Sequence, residues 1–192
     1  EIENASILPE DKAKLKQQVE SEKTKGINNV NGANDQATVN AKRDEAVNTI
    51  KGISLEAAKK KKADADLASA KTAAIEKIKQ AATAKTTEIE NASILPEDKA
   101  KLKQQVESEK TKGINNVNGA NDQATVNAKR DEAVNTIKGI SLEAAKKKKA
   151  AKDLADAKSD AIQKIKDTAT AKTNEIENAS ILPEDKAKLK QQ

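Results

Sequence analysis

The sequence predicts an all-α protein in which tandem three-helix bundles are joined by long shared helices. Three observations lead to this prediction. The chain repeats itself at a fixed period. Long segments without proline or glycine carry apolar residues at the three-to-four spacing of a helix. Short clusters of proline, glycine, asparagine and aspartate separate those segments.

The repeat has a period of 87 residues, because the string EIENASILPEDKAKLKQQ begins at Glu1, at Glu88 and at Glu175. Residues 1–63 and 88–150 are identical letter for letter. The chain holds two full periods and the start of a third, and both ends fall inside the pattern. We therefore expect an excerpt from a longer array. Near-identity of this kind is typical of recent duplication, which lengthens a spacer but brings little to a catalytic domain.

The first element of a complete period is a long helix, called helix A. Ser54 is the expected N-cap, and from there to about Ala92 the chain has neither proline nor glycine. We predict helix A over residues 54–92. Its apolar stripe comprises Leu67, Ala70, Ala74, Ile78, Ala81 and Ile89, with Ile75 and Ala82 beside it.

Two shorter helices complete the period. Pro96 ends helix A and begins helix B, predicted over residues 96–117, with Glu97 and Asp98 in its first turn. A turn at residues 118–122 leads to helix C, predicted over 122–138, with Asn121 or Asp122 as its cap. The expected buried residues are Leu102, Val106, Gly113 or Ile114, and Val117 on helix B, and Val126, Ala133, Val134, Ile137 and Ile140 on helix C.

One glycine lies inside helix B and needs an explanation. Gly113 costs the helix about 1 kcal/mol relative to alanine. Two explanations remain open at the level of sequence. Either the far end of helix B frays, or another backbone packs close to it.

Helix lengths predict how the repeats are joined. Helices A, B and C should span about 58, 33 and 25 Å, so helix A is too long for its own partners. We expect its C-terminal half to pack with the helices B and C that follow, and its N-terminal half to connect to the preceding bundle. The predicted result is an elongated, monomeric rod. Its divisions are a partial first repeat over residues 1–53, a complete repeat over 54–140, and a helix A with the start of helix B over 141–192. The first B–C pair keeps only Glu1 to about Ala5 of its helix A and should be the least stable part.

Composition excludes several classes of function. The chain has no Cys, His, Met, Phe, Tyr or Trp, so it lacks the usual nucleophile–base pairs, zinc ligands and aromatic stacking platforms. Its net charge of +5 balances 36 basic against 31 acidic residues, and only Arg43 and Arg130 are arginines. We predict no enzyme activity, no catalytic, cofactor-binding or metal-binding residue and no nucleic-acid partner. No apolar run reaches the length of a membrane span, so we predict no membrane insertion.

Two motifs have both a functional and a structural interpretation. The lysine runs at Lys59–Lys62 and Lys146–Lys149 could contact polyanions such as teichoic acid, heparin-like glycans, phospholipid or DNA. We favour a solvated connector helix, whose charge is offset by Glu56, Asp64 and Asp66. Asn-Ala-Ser at residues 4–6, 91–93 and 178–180 matches the glycosylation sequon. It also lies where a helix must end, and we favour that structural role.

The sequence also resembles a known family. The segment Ala-Ala-Thr-Ala-Lys-x-x-Glu-Ile-Glu-Asn at residues 81–91 is followed by Pro-Glu-Asp-Lys at 96–99, Ile-Asn-Asn at 114–116 and Thr-Val-Asn-Ala-Lys at 125–129. These motifs are similar to the helical domain-of-unknown-function repeats of Gram-positive cell-wall-anchored surface proteins. They look most like the SasC and FmtB type and are broadly similar to the arrays of Ebh. The chain departs from that pattern at Leu95–Pro96 and at Gly113.

The resemblance implies a secreted parent anchored to the cell wall of a Gram-positive bacterium. In such a protein the repeats would form a stalk that projects an adhesive region for attachment or biofilm formation. An alternative from a different class is that the repeats themselves bind a host extracellular matrix protein or a cell-wall polymer, through weak multivalent contacts.

Overall fold

The structure, a computed structural model, describes residues 1–191 and contains seven α-helices and no strand within them. The predicted all-α fold class is confirmed. Helix A corresponds to α3 and α6, helix B to α1, α4 and α7, and helix C to α2 and α5. The helices are α1 (Pro9–Asn31), α2 (Gln36–Lys51), α3 (Glu56–Asn91), α4 (Pro96–Gly119), α5 (Gln123–Lys138), α6 (Glu143–Asn178) and α7 (Pro183–Lys190).

Helix boundaries follow the sequence prediction to within two residues, with one informative difference at the end of α4. Asn118 and Gly119 were expected in a turn, but both belong to the helix. No glycine among residues 1–191 has a positive φ, so this Asn-Gly pair does not form a left-handed turn. The turn begins instead at Ala120, which is buried and whose amide donates to the carbonyl of Val117.

Helix C is capped as predicted, whereas helix A is not. Asp122 accepts a hydrogen bond from the backbone amide of Thr125 at 2.8 Å. At the start of α6 the cap position is Leu142, which forms no side-chain cap hydrogen bond. Ser141, the predicted cap, lies one residue earlier and accepts from the amide of Glu143 at 3.3 Å. Leu142 is buried, so burial of this leucine takes precedence over side-chain capping.

The chain forms two compact units, each built from more than one segment. Unit 1 comprises residues 1–78 and 112–132, and its fully buried side chains are Ile78, Val117 and Val126. Unit 2 comprises residues 79–111 and those from 133 onwards, and buries Ile89, Val106 and Ile137 completely. The predicted apolar stripes supply all six. The division into repeats at 1–53, 54–140 and 141–192 stays a prediction from the sequence.

The connectors that precede helix B are part of the core. Ile94 and Leu95 are buried in unit 2, and Ile7 is buried in unit 1. The sequence predicted this segment only as a helix break before proline. The apolar residues preceding the proline also contribute buried surface, which matters in a core without aromatic side chains.

Helices α1 and α2 pack closely at a glycine. Gly26, the counterpart of Gly113 in the first copy, is buried in α1. A Cβ placed on Gly26 would lie 2.6 Å from the Cβ of Ala46 in α2. Of the two explanations left open for the helix B glycine, the structure therefore supports close approach of a second helix at Gly26.

The pair formed by α1 and α2 is otherwise sparsely buried. Gly26 is the one buried residue of α1, and none of α2 is buried. Ile27 and Val47 are both more than 40% exposed. The C-terminal half of α6 and α7 are more exposed still, so the expectation that the α1–α2 pair is the least stable part stays a prediction from the sequence.

The substitution Gly26→Ala tests the close approach. Overpacking against Ala46 should cost about 1–3 kcal/mol, which exceeds the gain of about 1 kcal/mol in helix propensity. The amides of α1 and α2 should therefore exchange faster with deuterium, which reports on local opening.

Gly119→Ala is the matched control, because nothing lies within 4 Å of a Cβ at that position. It should leave the exchange of α4 unchanged or slow it. If Gly26→Ala instead slows amide exchange in α1 and α2, the contact with Ala46 does not exclude a side chain at position 26.

Candidate functional site: the lysine runs and their acidic partners

The two lysine runs lie in the first turns of α3 and α6, where most of their charge is paired within the same helix. This agrees with the predicted connector helix, because the acids expected to offset the run are its partners. The lysine Nζ to carboxylate distances in α3 are 3.1 Å for Lys59–Glu56, 3.0 Å for Lys60–Asp64 and 2.6 Å for Lys62–Asp66.

One lysine of each run instead reaches a different helix. In unit 1, Lys61 Nζ lies 3.0 Å from Asp11 and 3.5 Å from Glu10, both in the first turn of α1. In unit 2, Lys148 makes the same contacts in the first turn of α4. Its Nζ lies 2.9 Å from Asp98 and 3.4 Å from Glu97. We call each of these groups a lysine clasp.

In each clasp the aspartate is much less exposed than the glutamate beside it. The side chains of Asp11 and Asp98 are each only 13% exposed, and both lie at a helix N-terminus, where the helix dipole favours negative charge. The hydrogen bond to Asp11 raises the pKa of Lys61, and the bond to Asp98 does the same for Lys148. Both lysines therefore remain charged at neutral pH.

A second charged contact recurs where helix A meets helix B. In all three copies a lysine of helix B donates to the backbone carbonyl of the glutamate nine residues earlier, which lies near the end of α3 or α6 and, in the first copy, in a turn before α1. A second lysine, one turn later, pairs with the side chain of the same glutamate. These corner pairs are Lys12 and Lys16 with Glu3, Lys99 and Lys103 with Glu90, and Lys186 and Lys190 with Glu177.

The corner pairs satisfy backbone carbonyls that the end of a helix leaves without partners. The distance from Lys99 Nζ to the carbonyl oxygen of Glu90 is 2.6 Å, and Lys103 Nζ lies 2.9 Å from the carboxylate. The hydrogen bond from Lys103 lowers the pKa of Glu90, and Lys16 and Lys190 act in the same way on Glu3 and Glu177.

The sequons lie at these same corners. Asn91 is the last residue of α3, and Ser93 is in the bend before α4. Asn178 is likewise the last residue of α6. This placement supports the structural interpretation of the motif as the end of a helix.

Sequence reasoning identified the charges but missed their partners in other helices. Lys61 and Asp11 are 50 residues apart in the chain, and periodicity within one helix gives no signal for such a pair. It also missed Lys85, which is buried and whose Nζ lies 2.9 Å from Glu88. Its position between Ala82 and Ile89 on the apolar stripe was the available signal.

The described residues offer little for other chemistry. Within residues 1–191, no group of three or more acids is arranged to hold a metal ion. Over the same residues, no helix combines the length and apolar character needed to cross a membrane.

The substitution Lys148→Gln tests the clasp. It removes the lysine partner of Asp98, whose Oδ2 is already buried without a hydrogen bond, so unit 2 should lose thermal stability. The loss should shrink as salt is added. Because the pKa of Lys148 is raised above 10.5, its contribution to stability is fully present below pH 10.5. The contribution should disappear as the pH rises through the raised pKa.

Lys147→Gln is the matched control in the same run. Its counterpart Lys60 pairs with Asp64, but Ala151 replaces that acid, and within residues 1–191 Lys147 has no ion pair. Equal losses for the two variants, measured by circular dichroism melts, would show that the clasp contributes nothing beyond net charge.

The substitution Glu90→Gln tests the corner pair through its pH dependence. Because the pKa of Glu90 is lowered below 4.5, its contribution is present above that pH and lost as pH falls through the lowered value. The variant should melt below the parent chain at pH 7, and the difference should vanish in acid.

Glu184→Gln, which removes an acid of α7 outside the corner pairs, is the control. Its melting temperature should follow that of the parent chain at every pH. A difference for Glu90→Gln that persists unchanged at pH 3 would contradict an ionic contribution.

Comparison with known proteins gives a family assignment. The family described as Domain of Unknown Function (DUF1542) matches residues 1–58 and 70–145. It is known from Gram-positive surface proteins. No curated protein and no solved structure matches the chain. Because the match covers more than half of the residues, the chain belongs to the DUF1542 family.

Proposed function

We propose that this chain is a structural, non-catalytic stalk or spacer in a cell-surface adhesin. Its parent would be secreted and anchored to the cell wall of a Gram-positive bacterium, as in proteins of the SasC and FmtB type. The repeats would project an adhesive region for attachment or biofilm formation. The family assignment supports a repeat of a surface protein. The adhesin role is our proposal beyond that assignment.

The observation that carries the proposal is that each copy reproduces its own contacts. The clasp of Lys61 in unit 1 recurs at Lys148 in unit 2, with distances that agree within 0.1 Å. The corner pairs occur in all three copies. Because each duplication regenerates the same contacts, a further unit can be added without any change in sequence. Repeat arrays gain length in this way.

Helix lengths support the role of the long helix as a connector. Helices α3 and α6 have 36 residues each, against 24 for α4 and 16 for α5. At the helical rise, these lengths are about 54, 36 and 24 Å. A helix that exceeds its partners by this much suits a connector between successive bundles, as the sequence predicted.

Binding of a polyanion through the lysine runs receives less support. Lys59, Lys60 and Lys62 are paired with acids of their own helix, and Lys61 is held in a clasp. A polyanion would have to displace these carboxylates. Exposed ion pairs contribute little to stability individually. Because these lysines are paired with acids, however, no concentrated positive patch remains on α3.

Insertion of one more copy of residues 54–140 tests the spacer role. Small-angle scattering should show the maximum dimension growing by about 40–50 Å per inserted copy. This value is the length of helix A minus that of helix B plus that of helix C, because helix B runs in the opposite direction. A scrambled insert of equal length and composition is the control. If the maximum dimension grew only with the cube root of the mass, as it does for a compact particle, the spacer role would be rejected.

The competing role is direct binding by the repeats. In that case, the 192-residue chain should bind immobilised fibronectin or a wall polymer at physiological salt, whereas a pure spacer should not. The reading frame that encodes the parent tests the proposed localisation. It should show a secretion signal before the array and a sortase signal after it.

A further inference from the structure

The first turn of α4 contacts two long helices at once. On one side, Lys99 Nζ donates to the backbone carbonyl of Glu90, near the end of α3, at 2.6 Å. On the other side, Asp98 accepts from Lys148 Nζ, in the second turn of α6, at 2.9 Å. All of these residues belong to unit 2, and Asp98 and Lys99 are neighbours in the chain. The end of one long helix and the start of the next are therefore each one polar contact away from the same turn of α4.

We call this arrangement the helix joint and define it by residues 90–99 and 142–149. Apolar burial accompanies its polar contacts. Ile94 and Leu95 are buried just before α4, and Leu142 and Ala145 are buried where α6 begins. The joint therefore combines ion pairs with buried apolar side chains, which contribute more to stability than exposed ion pairs do.

The same arrangement recurs in the other copy of the repeat. In unit 1, Lys61 Nζ lies 3.0 Å from Asp11 in the first turn of α1, and the corner pair of the first copy reaches the same turn. Ile7 and Leu55 are buried at positions equivalent to two of the buried residues in unit 2. The joint is therefore a property of the repeat and lies in its interior.

The chain between the two halves of the joint makes a long excursion. Asp98 and Lys148 are 50 residues apart in the chain, and the segment between them contains most of α4 and all of α5. Unfolded, this segment would span about 165–180 Å, at about 3.3–3.6 Å per residue. The joint nevertheless holds the two ends of the segment together through an ion pair of 2.9 Å.

We propose that the helix joint transmits tension directly from α3 to α6, so that the excursion between Asp98 and Lys148 carries little load until the joint opens. When two connections act in parallel, the stiffer one carries more of the load, and a short direct contact deforms less than a segment of 50 residues. Opening of the joint would place the excursion in series with the long helices and release it as additional length. The inference deepens the proposed stalk and rests on it for its biological role.

Ionic strength should modulate the opening. Lys148 is 51% exposed, and its Nζ also lies 3.4 Å from the exposed carboxylate of Glu97. Added salt screens such exposed charges. The buried apolar side chains of the joint are not screened in this way. Salt should therefore loosen the joint without abolishing it.

Force spectroscopy tests the order of opening. Ala84 in α3 and Ala155 in α6 are exposed, and they precede and follow the joint in the chain. Because the chain has no cysteine, Ala84→Cys and Ala155→Cys supply the only two thiols for attaching the handles of an optical trap. At constant force, adding Lys148→Gln should speed opening about two- to fivefold, the rate equivalent of one partly exposed ion pair. Lys147→Gln, the matched control, should open at the rate of the double-cysteine chain.

The size of the first event tests the bypass itself. It should lengthen the molecule by at most the 50 residues that the clasp encloses, which is about 165–180 Å. Release of the whole segment between the two thiols in a single event would overturn the proposal, because the excursion and the long helices would then yield together. Equal opening rates for Lys148→Gln and Lys147→Gln would overturn it as well.

Spin labels on the same two thiols test the joint without force. The distribution of distances between the labels should be narrow in the double-cysteine chain and with Lys147→Gln, and broader with Lys148→Gln. Added salt should broaden the first two distributions towards the third. Identical distributions in all three chains would show that the clasp does not fix the joint. Circular dichroism checks that each variant keeps its helical content.

Failure of the joint and failure of the stalk are distinguishable. The scattering test with an inserted copy measures length in the absence of load and does not involve opening of the joint. An array that lengthens with each inserted copy, but whose opening rate is the same with Lys148→Gln and Lys147→Gln, would retain the spacer role and reject the load path through the joint.

Discussion

The core depends on burying the isoleucine and alanine stripe of the long helix, in a chain that has no aromatic side chain and no methionine. Ile78 in unit 1 and Ile89 in unit 2 are both fully buried. Burying one such side chain contributes about 1.5–3 kcal/mol. With a core this thin, a stripe that lacks its partner loses much of its stabilisation.

The charged network has a different role, which is to position helix ends. The clasp joins the first turns of α3 to the first turn of α1, and the corner pair joins the last turn of α3 to α4. Exposed ion pairs of this kind are weak individually and sensitive to salt. They nevertheless specify which helix ends meet, because a misplaced helix would leave Asp11 or Asp98, each only 13% exposed, without its lysine.

Periodicity and breakers in the sequence were sufficient to predict the seven helices and the six fully buried side chains, although Leu67 and Leu102 of the predicted stripes are only half-buried. The cap at Leu142, the buried connector at Ile94 and Leu95 and the pairing of Lys61 with Asp11 were not predictable in this way. All three depend on which helices are neighbours in space, and a pattern within one helix carries no such information. At Gly26 the sequence raised the right question, but only the position of Ala46 answered it.

The connectors between the helices have a consequence for resistance to proteolysis. With 36 lysines and arginines in 192 residues, the chain offers trypsin-like proteases many cleavage residues. Such enzymes cut extended segments, and the usual points of attack are exposed loops. Here the loop before α4 is anchored by Ile94 and Leu95 and has no lysine or arginine between Lys85 and Lys99, so the cleavage residues on either side lie within helices that must first open. The lifetime of the chain in a proteolytic environment is therefore governed by how often its helices open, and not by the abundance of cleavable bonds.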